Sequence, residues 1–177
     1  MRTQYDQADV KRVIDQLEGK VAAAFAADRP LCVIGIRTRG ETLAKRLIEG
    51  LKRRGFNLIE HGVLDITLYR DDLSEIGPGP MVRPTHVDFD IDGIPLLLVD
   101  DVLFTGRSVR AGLNALIDFG RPSVVRLAVL VDRGGREVPI QADFVGLALN
   151  DVPGGHRVNV HFAEDDGRDE ILVEPRE

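Results

Sequence analysis

Cysteines, long apolar runs and metal-ligand spacings are scarce or missing in this sequence. The only cysteine is Cys32, which excludes an internal disulfide and favours a reducing compartment. No apolar run approaches the length that spans a membrane, and the polar start MRTQYDQADVKR lacks the apolar segment of a secretory signal. We therefore expect a cytoplasmic protein with no membrane partner.

Several kinds of chemistry have no support in the sequence. The four histidines show no metal-ligand spacing with the cysteine or with each other. No G-x-S-x-G stretch or Ser/His/Asp arrangement is present, which argues against acyl-transfer hydrolysis. The net charge of −6 argues against a protein whose whole surface binds nucleic acid, although it is compatible with a local basic patch.

The sequence does contain an alternation of strand-like and helix-like segments over 177 residues, the size of one domain. Several of the apolar runs are apolar throughout, which is typical of strands buried on both faces. The runs lie at 31–36, 63–69, 95–100, 124–132 and 143–149. An amphipathic helical pattern at 7–27 precedes the first apolar run, and two further helical patterns follow the first and the third apolar runs. This rhythm predicts an α/β fold in one domain, 1–177, with a mainly parallel central sheet flanked by helices.

Two segments break the alternation. Residues 70–90 contain GPGP and are too long for a simple connection, so we expect either a lid over a site or a disordered loop. Further along, the stretches 157–162 and 170–174 are predicted to pair as a hairpin across EDDGRD.

The strongest functional pattern is LLLVDDVLFTGRSVRAG, at 96–112. Asp100 and Asp101 end an apolar strand, and Thr105, Gly106 and Ser108 lie in the turn into the next helix. Backbone N–H groups and hydroxyls at a helix N-terminus bind phosphate, whereas two carboxylates repel it. The acids therefore suit sugar hydroxyls or Mg²⁺, and the pattern predicts a sugar phosphate as ligand. A structural explanation, in which Ser or Thr only caps the helix and the two acids are solvated, would account for the acid pair alone. It does not account for the complete stretch VDDVLFTGRS.

Two other loops are expected at the same carboxyl edge of the sheet. GIRTRGETL carries Arg37 and Arg39 beside backbone amides, which suits a second anion such as pyrophosphate, although two solvated arginines give the same pattern. Glu41 stands where a P-loop has lysine, which argues against a nucleoside triphosphatase. VDRGGREVPIQADFVG places Arg133 and Arg136 on a glycine-rich turn. Taken alone, this pattern indicates an ordinary surface turn. If the turn lies beside the other two loops, it can line the remaining wall of a pocket.

The string LLLVDDVLFTGRSVRAGLNAL resembles the signature with which type I phosphoribosyltransferases bind phosphoribosyl diphosphate (PRPP). GIRTRGETLAKRL, LDITLYRDDLS, DFGRP and LAVLVDRGGREVPIQADFVG extend the likeness, from about residue 31 to 146, to the uracil phosphoribosyltransferases that also attenuate transcription of pyrimidine operons. The resemblance implies a type I phosphoribosyltransferase fold with a small hood and a flexible loop at about 70–90. It also implies a homo-oligomer that forms UMP and pyrophosphate from uracil and PRPP with Mg²⁺.

The resemblance implies roles for individual residues in binding PRPP. Catalysis would rest on Asp100, Asp101 and Arg39, with the two acids contacting the ribose hydroxyls. Mg²⁺ would reach the site through the substrate, with Asp100 and Asp101 as candidate ligands, while Thr38 and Arg39 would hold the pyrophosphate. The residues expected around PRPP are Thr38, Arg39, Asp100, Asp101, Val102, Leu103, Phe104, Thr105, Gly106, Arg107 and Ser108.

The resemblance also implies a base pocket and a closing loop. Arg133 and the region near Val158 would border the uracil. The flexible hood loop would include Tyr69, Arg70, Asp71, Asp72 and Arg83. No residue stands out in the sequence as a general base for the N1 proton of uracil.

The sequence departs from the attenuators at positions that bear on RNA. Its leading helix reads VIDQLEGKVAAAFA, with few cations, and Gly135 and Gln141 stand where those proteins often have histidine and arginine. Because RNA affinity depends on neutralising phosphates, we expect weak RNA binding. GLALNDVPGG also replaces a segment near the expected base pocket. Two alternatives thus stay open: an attenuator that uses PRPP or UMP mainly as an effector, and a phosphoribosyltransferase for another base, such as a purine or orotate.

Overall fold

The computed structural model describes residues 3–72, 79 and 81–176. Strands and helices alternate along most of this part of the chain, as the apolar pattern predicts. In order, the elements are β1 (Thr3–Tyr5), α1 (Gln7–Ala24), β2 (Leu31–Ile36), α2 (Arg39–Arg53), β3 (Ile59–Leu64), a 3-10 turn (Thr67–Tyr69), β4 (Pro95–Leu103), α3 (Arg107–Leu116), β5 (Val124–Asp132), β6 (Phe144–Ala148), β7 (His156–His161), α4 (Ala163–Asp166) and β8 (Glu170–Pro175). Of the helices described, none has the length and apolarity to cross a membrane.

Five strands form a parallel central sheet in the order β3-β2-β4-β5-β6. Alternate residues of β2 enter two different cores: Val33 packs in the one that includes α1 and α2, and Ile34 in the one that includes α3. Because both faces of the sheet are covered, its inner strands are apolar throughout rather than alternating. The predicted parallel sheet flanked by helices is confirmed.

A second, antiparallel sheet has the order β1-β8-β7. Its β7–β8 pair confirms the predicted hairpin, with Val158 opposite Val173 and Val160 opposite Ile171. All four side chains join the core that covers α1 and α2. β1 could not be predicted from the sequence, because three residues are too few to show a strand period.

The strand predicted over 63–69 is wrong in its limits. β3 runs from Ile59 to Leu64, and Asp65 then accepts hydrogen bonds from the backbone N–H and the hydroxyl of Thr67 at 2.8 and 2.5 Å. An aspartate that bonds two residues ahead favours a turn over extended backbone. Residues 67–69 consequently form the 3-10 turn.

Cys32 lies in the interior of the central sheet. Its side chain is fully buried in β2, which is hydrogen-bonded to β3 on one side and to β4 on the other, and the thiol is free. Burial raises the pKa of this thiol to about 11, and the negative charges of Glu60 and Asp90 add to the rise. A protonated, buried thiol is unreactive in the folded protein.

Candidate active site

The loops that follow β2, β4 and β5 meet at the carboxyl edge of the central sheet. The first two lie in close contact, because a Cβ on Gly40 would be 2.6 Å from the carbonyl oxygen of Val99 and 3.2 Å from Cα of Asp100. The third is joined to the second by the N–H of Arg133, which donates to the carbonyl oxygen of Leu103 at 3.0 Å. The three predicted loops are therefore neighbours.

Asp100 and Asp101 occupy the end of β4 in different environments. Asp100 is 7% exposed, and its Oδ1 accepts the N–H of Asp101 at 2.9 Å, whereas Asp101 is only half-buried. Burial, followed by the neighbouring charge of Asp101, raises the pKa of Asp100 well above its usual value. A cation or a set of hydroxyl donors placed beside the pair would favour the ionised form of Asp100.

The turn after β4 forms a small cavity at the N-terminus of α3. Gly106, the residue before the helix, has φ of +89°, which glycine adopts without strain. Thr105 Oγ1 accepts the N–H of Arg107 at 3.2 Å. The cavity has a volume of about 120 Å³ and is lined by Asp100, Val102, Leu103, Phe104, Thr105, Gly106, Ser108 and Val109. Helix-terminal N–H groups, two hydroxyls and the positive end of the helix dipole make this cavity suitable for a phosphate.

The loop after β2 carries Thr38 and Arg39 at the start of α2. Thr38 Oγ1 accepts a hydrogen bond from Arg83 Nη1 at 3.2 Å. Arg39 forms an ion pair with Asp166, its Nη2 donating to Oδ1 at 2.8 Å, and this hydrogen bond to Asp166 raises the pKa of the guanidinium. The negative charge of Asp101 also contributes to that rise. Arg39 therefore lies within electrostatic reach of the acid pair.

Arg37 is paired with a carboxylate in the first turn of α2. Its Nη1 lies 3.4 Å from Glu41 Oε2, one turn along the chain, and its side chain is 18% exposed. Arg39, at 37%, is the more accessible of the two arginines. Glu41, the residue that replaces the P-loop lysine, thus neutralises Arg37.

The loop after β5 places Arg133 against an aromatic ring. The guanidinium carbon of Arg133 lies 4.0 Å from the ring centre of Phe104, and its Nη1 donates to the carbonyl oxygen of His156 at 3.0 Å. Arg176 approaches the same ring at 5.7 Å. Burial and the positive charge of Arg176 lower the pKa of Arg133. Arg133 therefore links the PRPP motif to β7, next to the cavity that Phe104 and Arg176 line.

Val158 does not border an open pocket. It is 8% exposed and packs in the core that covers α1 and α2. Successive residues of a strand point to opposite faces, and Asn159, the next residue, donates to Glu174 at 2.8 Å instead of entering this core. The expectation that the region near Val158 borders uracil stays a prediction, and the Val158 side chain itself belongs to the core.

The first half of the predicted hood loop is tied to α3 and to the turn that follows it. Tyr69 bonds Asp118 through its hydroxyl, and Asp71 accepts from Arg107 at 2.6 Å and also from Arg110. Arg70 and Asp72 pair with each other at 2.6 Å. These contacts enclose a cavity of about 660 Å³ lined by Arg70, Asp71, Asp72, Phe104, Thr105, Arg107, Ser108 and Arg176. Residues 73–78 and 80 of the predicted loop lie outside the described residues.

The second half of that predicted loop is attached to the central sheet. The N–H of His86 donates to the carbonyl oxygen of Val63 at 2.9 Å, and the N–H of Val63 donates back at 2.8 Å. Thr85 Oγ1 accepts the N–H of Asp65 at 3.0 Å. Thr85 and His86 are therefore bonded to the end of β3 and to Asp65, the residue that follows it.

Comparison with known protein families matches residues 2–160 to the phosphoribosyl transferase domain. The chain belongs to this family. The resemblance found in the PRPP motif is thus confirmed over nearly the whole length, and the three loops described above are the loops of a phosphoribosyl transferase domain.

Relatives of this phosphoribosyl transferase domain share both sequence and length with it. The bifunctional protein PyrR of Elusimicrobium minutum is 45% identical over 168 residues, which cover 95% of this chain and 93% of the relative. The bifunctional protein PyrR of Thermus thermophilus is 46% identical over 171 residues, covering 96% and 93%.

Solved structures confirm the fold of the phosphoribosyl transferase domain. The hypoxanthine phosphoribosyltransferase of Trypanosoma cruzi superposes with a TM-score of 0.70 at 19% identity, covering 98% of this chain and 95% of that one. A hypoxanthine-guanine phosphoribosyltransferase of Bacillus anthracis gives 0.72 at 15% identity, with 98% of both chains covered.

Two residues at the site of this domain were missed by the sequence analysis. Asp166 contacts Arg39 across 127 positions of sequence, and its only local signal was the acid-rich turn EDDGRD, interpreted as a hairpin turn. Arg176 lies over Phe104 although nothing in its own neighbourhood indicates a site. Both belong to or follow the antiparallel sheet, whose position relative to the loops depends on the tertiary fold.

Arg136 fastens the third loop to the PRPP motif, and we expect its loss to loosen that loop. It donates to the carbonyl oxygens of Ile140 at 2.7 Å and Phe104 at 3.0 Å and to Asp132 at 2.6 Å. Despite the opposing effect of burial, the hydrogen bonds from Arg136 and from a backbone N–H lower the pKa of Asp132. Arg136→Lys should reduce the free energy of unfolding by about 1–2 kcal/mol, because lysine cannot reproduce the fork of donors.

Thermal unfolding measures this effect, and a fall of roughly 2–4 °C per kcal/mol is expected for a chain of this size. Arg126→Lys is the matched control, because Arg126 pairs with Asp143 with about half of its side chain in solvent. Such exposed pairs contribute little. Equal melting temperatures for wild type and Arg136→Lys would contradict the role assigned to Arg136.

Proposed function

We propose that this phosphoribosyl transferase domain is a uracil phosphoribosyltransferase, which converts uracil and PRPP to UMP and pyrophosphate. The observation that carries the proposal is the meeting of an acid pair, a helix N-terminus and an arginine loop at one edge of the sheet. These are complementary to a ribose, a 5′-phosphate and a pyrophosphate. The length and identity shared with relatives named bifunctional protein PyrR support uracil as the base.

The 5′-phosphate is proposed to occupy the cavity at the start of α3. Its oxygens would accept from the N–H groups of the first turn and from the hydroxyls of Thr105 and Ser108, with Arg107 beside them. A charge-assisted hydrogen bond contributes about 1.5–3 kcal/mol, and the helix dipole adds roughly 0.3–1 kcal/mol. Three or four such contacts are enough to hold a phosphate monoester.

Asp100 and Asp101 are proposed to hold the ribose hydroxyls and, together with the substrate, Mg²⁺. Mg²⁺ bound with phosphates usually takes one or two carboxylates and leaves its other positions to water and substrate oxygens. The acid pair supplies that number, and a cation would counteract the raised pKa of Asp100. When bound, Mg²⁺ neutralises part of the charge on pyrophosphate.

The proposed reaction breaks the bond between C1 of ribose and a pyrophosphate oxygen and joins C1 to N1 of uracil, whose N1 proton is released to water or to the pyrophosphate. Negative charge grows on the pyrophosphate as this bond breaks. The guanidinium of Arg39 and the hydroxyl of Thr38 would stabilise that charge by donating hydrogen bonds to the pyrophosphate oxygens. Closing the loop that carries Tyr69, Asp71 and Arg83 would exclude water that otherwise hydrolyses PRPP. Uracil is proposed to lie beside Arg133, on the side of the cavity that Phe104 forms.

Two of the three cations of α1 are neutralised within the helix, which supports weak RNA binding. Lys11 pairs with Asp15 and Arg12 with Asp9, each at 2.7 Å. Cations neutralised by their own helix release few counterions on binding RNA. We propose that any attenuation by this domain depends on other surfaces, and that the protein works in the cytoplasm as a homo-oligomer.

An assay of base specificity tests the proposed function. Purified protein is mixed with PRPP, Mg²⁺ and labelled uracil, hypoxanthine or orotate, and nucleotide formation is followed. We expect UMP, with each other base at least about 10²-fold slower, because unpaired polar groups in a fitted pocket are costly.

Ser108→Ala should raise the KM for PRPP several-fold by removing one phosphate donor.

Two outcomes would contradict the proposal. Faster turnover of hypoxanthine or orotate would assign the enzyme to another base. No turnover with any base, together with tight and salt-sensitive binding of leader-type RNA, would favour an attenuator that uses PRPP as an effector. Titration with such RNA at two salt concentrations distinguishes the second outcome from an inactive preparation.

A further inference from the structure

The carboxylate of Asp166 contacts Arg39 with both of its oxygens. Arg39 Nη2 donates to Oδ1 at 2.8 Å and Nε donates to Oδ2 at 3.3 Å. On its own hairpin, Asp166 Oδ2 accepts the N–H of Phe162 at 3.1 Å, and His161 Nδ1 lies 3.4 Å from Oδ1. Asp166 is therefore held from one side by the hairpin and holds Arg39 on the other.

The turn that carries Asp166 is fixed to α2 independently of Arg39. Thr42 Oγ1 donates to Asp165 Oδ2 at 2.6 Å. Arg46 donates to both Glu164, at 2.9 Å, and Asp169, at 2.7 Å. These contacts hold the Asp166 carboxylate in place even when Arg39 is changed. A residue that orients Arg39 needs such a position of its own, independent of Arg39.

The ion pair uses one edge of the guanidinium and leaves the other edge for a ligand. Arginine has five N–H groups in a plane, and Asp166 takes the Nε–H and one Nη2–H. Within residues 3–72, 79 and 81–176, no other hydrogen bond from Arg39 occurs. The remaining edge, formed by Nη1 and Nη2, can take two oxygens of one anion.

We propose that Asp166 is a positioning residue, which orients the guanidinium of Arg39 so that its unused edge receives the pyrophosphate of PRPP. This inference rests on the proposed function. Burial alone would raise the pKa of Asp166, but hydrogen bonds from Arg39, Phe162 and His161 lower it to about 2. The carboxylate is thus ionised throughout the neutral range and keeps Arg39 in one orientation.

The contribution of this ion pair is expected in binding rather than in folding. Arg39 is 37% exposed, and partly exposed ion pairs add little to stability. A displacement of a binding group by about 1 Å, in contrast, can cost up to ~10²-fold in rate. Loss of Asp166 should therefore change the KM for PRPP more than it changes the melting temperature.

Asp166→Asn tests the inference in the full-length protein. We expect a rise of about tenfold in the KM for PRPP, with an unchanged KM for uracil and a similar melting temperature. Asp166→Glu, which keeps the charge, should recover part of the affinity. Asp15→Asn is the matched control, because Asp15 also forms an ion pair with a cation, Lys11, but lies on α1 and takes no part in holding the turn that carries Asp166, and its KM for PRPP should equal that of wild type.

A double-mutant cycle separates positioning from a general structural effect. In an Arg39→Ala background, Asp166→Asn should change the KM for PRPP by less than about twofold, because no guanidinium is left to orient. An equal tenfold effect in both backgrounds, or a parallel rise in the KM for uracil, would overturn the inference.

Binding of inorganic pyrophosphate with Mg²⁺, measured by calorimetry, decides the inference without turnover. Asp166→Asn should bind pyrophosphate about tenfold more weakly than wild type does, and equal affinities would overturn the inference. A wild type that binds pyrophosphate but forms no nucleotide would overturn the proposed function alone.

Discussion

Replacement of Asp100 by asparagine is expected to remove nearly all nucleotide formation and at the same time to raise the melting temperature of the unliganded protein. The pKa of Asp100 is raised in the folded state by burial and by Asp101. The folded protein therefore binds this proton more tightly than the unfolded chain does. As pH rises from the unfolded pKa through the folded one, ionisation lowers the free energy of unfolding. Asparagine carries no charge and avoids this loss, while its Oδ1 can still accept the N–H of Asp101.

The measurement is kcat/KM for PRPP together with thermal unfolding between pH 4 and 7. We expect kcat/KM to fall by about 10²–10³-fold, the usual effect of removing one preorganised contact to a reacting group. The melting temperature should rise by about 2–4 °C for each kcal/mol gained. The gain should shrink toward pH 4, close to the ordinary pKa of an aspartate, where the loss of stability through ionisation has only begun.

Asp28→Asn is the control for this experiment, because Asp28 is exposed on the loop between α1 and β2. Its activity and melting temperature should match those of wild type. A variant Asp100→Asn that retains activity would remove Asp100 from the site. One that melts lower at pH 7 would contradict the account of its buried charge.

Gly35→Ala is expected to displace the pyrophosphate loop. A Cβ at Gly35 would lie 2.5 Å from the carbonyl oxygen of Gly40 and 2.6 and 2.8 Å from Cα and N of Glu41. All three are backbone atoms of the first turn of α2, so no side-chain rotation can relieve the contact. The turn has to move, and Thr38 and Arg39 move with it. Over-packing of this kind costs about 1–3 kcal/mol of folding free energy.

We expect the KM for PRPP to rise by at least about tenfold in Gly35→Ala, because a displacement of 1 Å at a binding group is sufficient for such a change. The melting temperature should fall as well. Gly154→Ala serves as the control, because no atom lies within 4 Å of a Cβ at Gly154 and its φ needs no glycine. Wild-type KM in Gly35→Ala would show that the loop adapts to the added methyl group.

The predictable part of the site is the part encoded by neighbours in sequence. The apolar run at 124–132 coincides with β5, and the acid pair with its glycine turn lies in ten consecutive residues, so both could be predicted from local pattern. The strand at 63–69 was misplaced because one aspartate, Asp65, turns the backbone through its side chain. Hydrophobicity patterns do not register such a bond.

The features that could not be predicted have a longer-range cause. Burial of the Val158 side chain is one of them, because which face of β7 is buried depends on how the antiparallel sheet packs on α1 and α2. The Asp166–Arg39 pair joins two segments that are far apart in the chain. Such pairings arise only when the central sheet and the hairpin are assembled together.

The single buried cysteine of β2 gives this protein an internal reporter of sheet opening. A reagent that alkylates thiols can reach Cys32 only after β2 has separated from β3 and β4, so the alkylation rate reports how often that region opens. A ligand that binds only the closed protein suppresses opening by RT ln(1 + [L]/Kd). Alkylation in graded PRPP would therefore yield a dissociation constant for wild type and for every variant above, including those with no measurable turnover.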